Sequence, residues 1–182
     1  MATKNQPKIN IALSSNQYFW EIFSFVLLIL YWLYIALSFR SLPATIPTHY
    51  NFNGEPDAFG SSGTIFLLPI IGTFILLGFT ALSKIPHHFN YLVEITKENA
   101  EKQYSNALTM LRFLKIAILF VFIFIDYHTI QLAKKDDFSR QNWIFMILLL
   151  IIFIPVIYYI FQSIRKNKEV RSWCIFKKTK TG

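Results

Sequence analysis

Four apolar runs dominate this chain and leave it few ways to fold: Tyr18–Phe39, Thr64–Ser83, Leu111–Ala133 and Trp143–Ile164. Each is close to the roughly 20 apolar residues that cross a bilayer core about 30 Å thick. Inside lipid no water is present to bond the backbone, so such runs must be helical. The sequence predicts an all-α membrane protein, multi-pass, with four transmembrane helices at 18–39, 64–83, 111–133 and 143–164. They form one domain, 18–164, between an N-tail at 1–17 and a basic tail at 165–182. Ala36-Leu37-Ser38 faintly resembles a signal cleavage site, but the first run is long for a signal core and reads as an uncleaved span.

Basic residues set the orientation. Lys and Arg collect in cytoplasmic loops. Lys4 and Lys8 precede the first span, and Lys84, Lys97 and Lys102 follow the second. Arg165, Lys166, Lys168, Arg171, Lys177, Lys178 and Lys180 follow the fourth. The other two loops hold Arg40, and Lys134, Lys135 and Arg140. The split is twelve against four, so both termini are expected in the cytoplasm (N-in, C-in) and the first loop outside, with the inner membrane of a bacterium as the site. The net charge of +8 then needs no nucleic acid as partner. The basic tail, with Trp173-Cys174-Ile175-Phe176 among its charges, suits an anionic inner leaflet at about 1 kcal/mol per basic residue. The one cysteine, Cys174, excludes an internal disulfide and is expected to be a free thiol.

The first loop, Leu42–Ser62, is too elaborate for a passive connector. It holds three of the chain's seven prolines. Leu42-Pro43 and Ile46-Pro47 extend the backbone. Tyr50 and Phe52 alternate with Asn51 and Asn53, and Asn53-Gly54 is a tight-turn signal. The expectation is a stiff folded cap, with His49 and Asp57 holding its fold and Asp126 anchoring it from below; direct ligand contact by His49 is the alternative.

Ionisable residues inside the spans are the other candidates, since a buried charge in lipid is costly. Glu21, one turn into the first span, is expected to pair with Arg112 and Lys115 at the same level of the third, a functional acid being the alternative. Asp126, in the outer leaflet, reads equally as a functional group or as a structural acid. Glu55 also lies on the outer face; His49, Asp57, Asp126 and His128 supply ligand types, but residues 126 and 128 project about 200° apart on a helix. HExxH, CxxC and EF-hand patterns are absent, as are a Gly-x-Ser-x-Gly nucleophile and a glycine-rich phosphate loop. No metal, cofactor or enzymatic activity is expected.

Further along, Pro69, Gly72 and Gly78 lie in the second span, and Pro155 marks a kink in the fourth. Thr96 is a candidate cap for one long helix from about Lys97 to Ala133, supported by Lys97/Glu101 and Glu98/Lys102 at i, i+4. Ile9, Ile11 and Leu13 give the N-tail an alternation suited to a membrane surface. An echo, I-P-x-H-aromatic-N, occurs at Ile46–Asn51 and Ile85–Asn90, as an inverted repeat would produce.

Leu42-Pro43, Ile46-Pro47, His49-Tyr50-Asn51, Gly54 and Asp57 resemble the signature of domain of unknown function 1648. That domain forms the N-terminal part of SdpI-type bacterial immunity and signalling membrane proteins. Pro86, Phe89-Asn90-Tyr91, Ile95-Thr96, Glu98-Asn99 and Gln103-Tyr104 extend the likeness, which covers roughly residues 20 to 130. The resemblance implies binding of a secreted peptide at the outer face and a protein partner in the cytoplasm. SdpI-type proteins continue with further spans, whereas one more run and a basic tail follow here. The expected function is a non-enzymatic binding, sensing or immunity-type module whose outer loop meets a peptide, lipid or partner protein. The alternative is a small transporter, or transporter subunit, using polar groups of the third helix.

Overall fold

The computed structural model describes residues 6–51, 54–135 and 150–180, with side chains as far as Lys166. Helix α1 spans Ser15–Phe39. It starts before the apolar run because Ser14 and Gln17 form a capping box, each side chain bonding the other's backbone N–H. The Gln17 amide also donates to Ser105 Oγ and Thr109 Oγ1 of a later helix, at 3.2 and 3.1 Å, so the cap fixes the helix entry as well.

The all-α expectation is corrected between the first two helices. Strand β1, Thr45–Tyr50, pairs antiparallel with β2, Pro56–Ser61. The turn is closed by Asn51 N donating to Glu55 O and Gly54 N donating to Asn51 O, both at 2.9 Å. Gly54 has φ 78°, a left-handed conformation that glycine adopts without strain. Asn53 and Phe52 lie outside the described residues. A lone two-stranded hairpin is marginal in water; this one is held by Ile46, which is buried with Ile35, Ile65, Ile130 and Ala133.

A 3₁₀ turn, Ser62–Phe66, leads into α2, Leu67–Leu82. Gly72 faces the helix that carries Leu119, where a Cβ would stand 3.0 Å from Leu119 Cδ2, so glycine permits the close approach of the two helices. Helix α3 spans Ala100–Lys135. Its 36 residues extend about 54 Å, far beyond the thickness of a bilayer core. The expected start near Lys97 is corrected by three residues. Asn99, not Thr96, precedes the helix, and its Oδ1 accepts from Thr96 N at 2.8 Å while its amide donates to Glu94 O.

Helix α4 spans Phe153–Lys180. A break at Ile152 precedes it, where Pro155 supplies no N–H for the Ile151 carbonyl. The expected fourth span falls partly outside the described residues, at 143–149, as do Asp136, Asp137 and Arg140. Among the described residues, three helical segments are long and apolar enough to cross a membrane: Ser15–Phe39, Ser62–Leu82 and Ala100–Lys134. α4 is less apolar because it runs on through the basic residues to Lys180. It packs along α3 through a polar ladder, in which Gln103 and Ser163 bond reciprocally and Asn106 donates to Tyr159 O.

The N-tail is tied to the bundle at Gln6 and Pro7. Gln6 donates to Phe89 O, and Tyr104 donates to Pro7 O, so the tail is tucked against the connection between α2 and α3. The echoed sextet takes two conformations: a strand at Thr45–Tyr50 and a 3₁₀ turn at Pro86–His88. The common pattern therefore builds no common structure.

Candidate functional site

The bundle carries polar groups at two levels. At the hairpin end, Asp126 is 3% exposed and accepts a short hydrogen bond from Tyr31 of α1. The expectation that Asp126 anchors the loop is thereby corrected: one turn further on, Thr129 does so, sharing a 2.7 Å hydrogen bond with the Tyr50 hydroxyl. Burial holds that hydroxyl above the ordinary tyrosine range. His128, two residues from Asp126, lies instead between the rings of Tyr50 and Phe124, with centroids 6.3 and 6.1 Å away. The two residues thus serve different neighbours, as their angular separation on a helix requires.

His49 and Asp57 meet across the hairpin, Nδ1 to Oδ1, at 2.5 Å. Both are exposed, with side-chain exposures of 69% and 44%. They bond each other across the two strands, and Asp126 is engaged elsewhere, by Tyr31. A break in the regular register around Thr48 sets His49 opposite Ala58, beside Asp57. Asn51 is committed to the turn: its Oδ1 accepts from Glu55 N and its amide donates to Glu55 Oε2. The hairpin therefore presents one acid–imidazole pair to solvent on a frame braced by Tyr50 and Ile46. Among the described residues no group of three or more His, Cys, Asp or Glu side chains is placed to hold a metal ion.

At the tail end, Glu21 lies among three residues. Lys115 Nζ donates to its Oε1 at 2.5 Å, Thr80 Oγ1 donates to the same oxygen at 2.9 Å, and Arg112 Nε stands 3.3 Å from Oε2. Lys115 is 1% exposed and Arg112 3%. Sequence reasoning missed Thr80 and Tyr31, the partners that complete these two clusters. Each is a polar residue inside an apolar run at the depth of an ionisable one, a signal that depth-matching of the runs can recover.

Residues 26–73 match the family model described as Domain of unknown function (DUF1648). This segment is a DUF1648 domain. It takes in most of α1, the whole hairpin and the start of α2, so the His49–Asp57 pair lies inside the DUF1648 domain while Asp126, Thr129 and Arg112 lie beyond it. An uncharacterized protein of Archaeoglobus fulgidus is 39% identical over 69 residues, covering 34% of this chain and 38% of that protein. The chain thus spans less than two fifths of that relative's length. No solved structure matches. With its apolar helices, the chain is a membrane protein carrying a DUF1648 domain.

Proposed function

We propose that this protein is a non-enzymatic binding or sensing module whose DUF1648 hairpin is an extracytoplasmic recognition surface for a peptide, lipid or partner protein. The bearing observation is the exposed His49–Asp57 pair on a hairpin fixed to α3 by Tyr50 and Thr129. A rigid frame lowers the ordering cost of binding, and exposed polar groups give it orientation. The basic residues that α4 carries to Lys180 suit the anionic leaflet on the opposite face. α3 joins both faces as one helix, the element a sensor needs, although coupling itself requires two states with different affinities.

The buried Tyr31–Asp126 pair favours a second reading, a small transporter. Against it, Leu28, Leu76 and Leu119 are buried between that pair and the Glu21 cluster, so the polar groups do not run on through the bundle. The decisive experiment is deletion and complementation. A strain lacking the protein is challenged with secreted peptides of its own and neighbouring species. Restored tolerance that His49→Ala or Asp57→Ala weakens, at unchanged protein abundance, fits recognition. An intact response in those variants, with solute movement abolished by Asp126→Asn, replaces it with transport.

A further inference from the structure

At the tail end of the bundle a cavity of about 340 Å³ opens between the N-tail, α1, the end of α2 and α3. Its walls include Glu21, Thr80, Lys84 and Arg112, with Ile9 and Ile11 of the tail on the apolar side. Two features leave it chemically incomplete. Arg112 and Lys115 are both buried against the single carboxylate of Glu21, so the cluster carries an excess positive charge in a poorly solvated place. Arg112 Nη1 is buried and has no hydrogen-bond partner among the described residues, and Glu21 Oε2, also buried, meets Arg112 Nε at 3.3 Å as an ion pair without hydrogen-bond geometry. A buried unpartnered polar group costs about 1–3 kcal/mol, more when charged.

A ligand that completes this site needs an anionic acceptor for Arg112 and, a short distance away, a donor for Glu21. A phosphate ester carrying a hydroxyl or an ammonium group has both. We propose that this cavity binds such a group, with the phosphate at Arg112 and Lys84 and the hydroxyl or ammonium at Glu21 Oε2. Guanidinium suits the acceptor side, since it presents parallel donors to phosphate oxygens. Glu21 lies towards the end of the second turn of α1, about 9 Å along the helix from Ser15, a depth at which a phospholipid headgroup reaches a span's end. The apolar tail residues Ile9 and Ile11 then lie where the glycerol backbone would run. Free phosphate offers the same acceptor chemistry and is the alternative source.

The full-length protein in detergent micelles tests this by native mass spectrometry with phosphatidylglycerol, phosphatidylethanolamine and phosphatidylcholine, and by melting with and without millimolar inorganic phosphate. Phosphatidylcholine has the phosphate but no donor for Glu21. The expected result is retention of the first two lipids over phosphatidylcholine. Retention should fall about ten-fold in Arg112→Gln, the size of a lost charge-assisted hydrogen bond, and less in Lys84→Gln. A rise in melting temperature with inorganic phosphate, abolished by the same substitutions and without lipid preference, assigns the site to free phosphate. Equal retention of all three lipids, unchanged by substitution and without a phosphate effect, means that the cavity holds only water and overturns the proposal. Lys84→Gln, at the cavity rim, decides the matter if Arg112→Gln does not fold.

Discussion

Tyr50 of the hairpin and Thr129 of α3 share a 2.7 Å hydrogen bond at the joint between the exposed frame and the bundle. Tyr50→Phe removes it and leaves the ring in place. The expected cost is about 1 kcal/mol, seen as faster amide exchange across Thr45–Ser61 with α3 unaffected. Unchanged exchange there means that Ile46 alone holds the hairpin.

The burial of Tyr50 at this joint predicts a pH dependence. Burial raises the Tyr50 hydroxyl above the ordinary tyrosine value of about 10. The folded state keeps this proton to higher pH than the unfolded chain does. The contribution is therefore complete below the unfolded value and is lost as pH rises through the folded one. Hairpin exchange should accelerate above about pH 10, beyond the intrinsic base catalysis seen at control amides. Tyr50→Phe should remove that excess acceleration.

Gln103 donates to Ser163 O and accepts from Ser163 Oγ, so one side chain satisfies both partners across the α3–α4 contact. Gln103→Ala is expected to cost about 1 kcal/mol, near the upper range for single interhelical bonds in membranes. Cysteine pairs placed on the two helices should crosslink more slowly in that variant. Ser163→Ala alone keeps the backbone bond and should cost less. Equal crosslinking in wild type and Gln103→Ala would remove the ladder as the reason α4 docks.

Much of the architecture is legible because lipid imposes simple rules. Apolar length marks α1, α2 and α3, and Asn53-Gly54 with the alternation about Tyr50 marks a folded loop. What is not legible depends on choices made in three dimensions. Asp126 has several polar residues within reach in sequence terms, and only the packing of α1 on α3 selects Tyr31 over the loop. The six residues at Ile85–Asn90 repeat those at Ile46–Asn51, yet Ile46 finds a strand partner in Gly60 while Pro86 begins a turn. Identical local preference has two outcomes when only one copy has a partner strand. Chain entry at Ser14 was readable as S-x-x-Q, but polar residues before an apolar run are easily assigned wholly to the tail.

Among the described residues, Glu21 is the single acid paired with Arg112 and Lys115. Glu21→Gln leaves two buried cations without a countercharge and should destabilise the protein by about 3–5 kcal/mol, the range for breaking a buried pair. Glu21→Asp should lose less. Adding Arg112→Gln to Glu21→Gln should recover part of the loss, because one uncompensated charge is gone. Thermal unfolding in detergent of the single and double variants checks this, and strictly additive losses would show that the three residues are not electrostatically coupled.

The hairpin and the end of α4 are expected on opposite sides of the membrane, the hairpin outside, because basic residues gather at the tail end and at 165–182. Single cysteines at Ser62 and Ser172, in a Cys174→Ser background, report this with an impermeant thiol reagent on intact cells. Position 62 should label at once and position 172 only after permeabilisation. Ser62 begins the 3₁₀ turn after β2 and is half-buried there. The reverse pattern would put the His49–Asp57 pair in the cytoplasm, where no secreted peptide reaches it. Labelling at both positions would put an even number of crossings out of account and make α4 a helix that does not return through the bilayer. That second outcome is physically open, because α4 runs through seven basic residues and is the least apolar of the four helices. The labelling pattern therefore tests the recognition reading and the fourth span together, and only labelling at 62 alone sustains both.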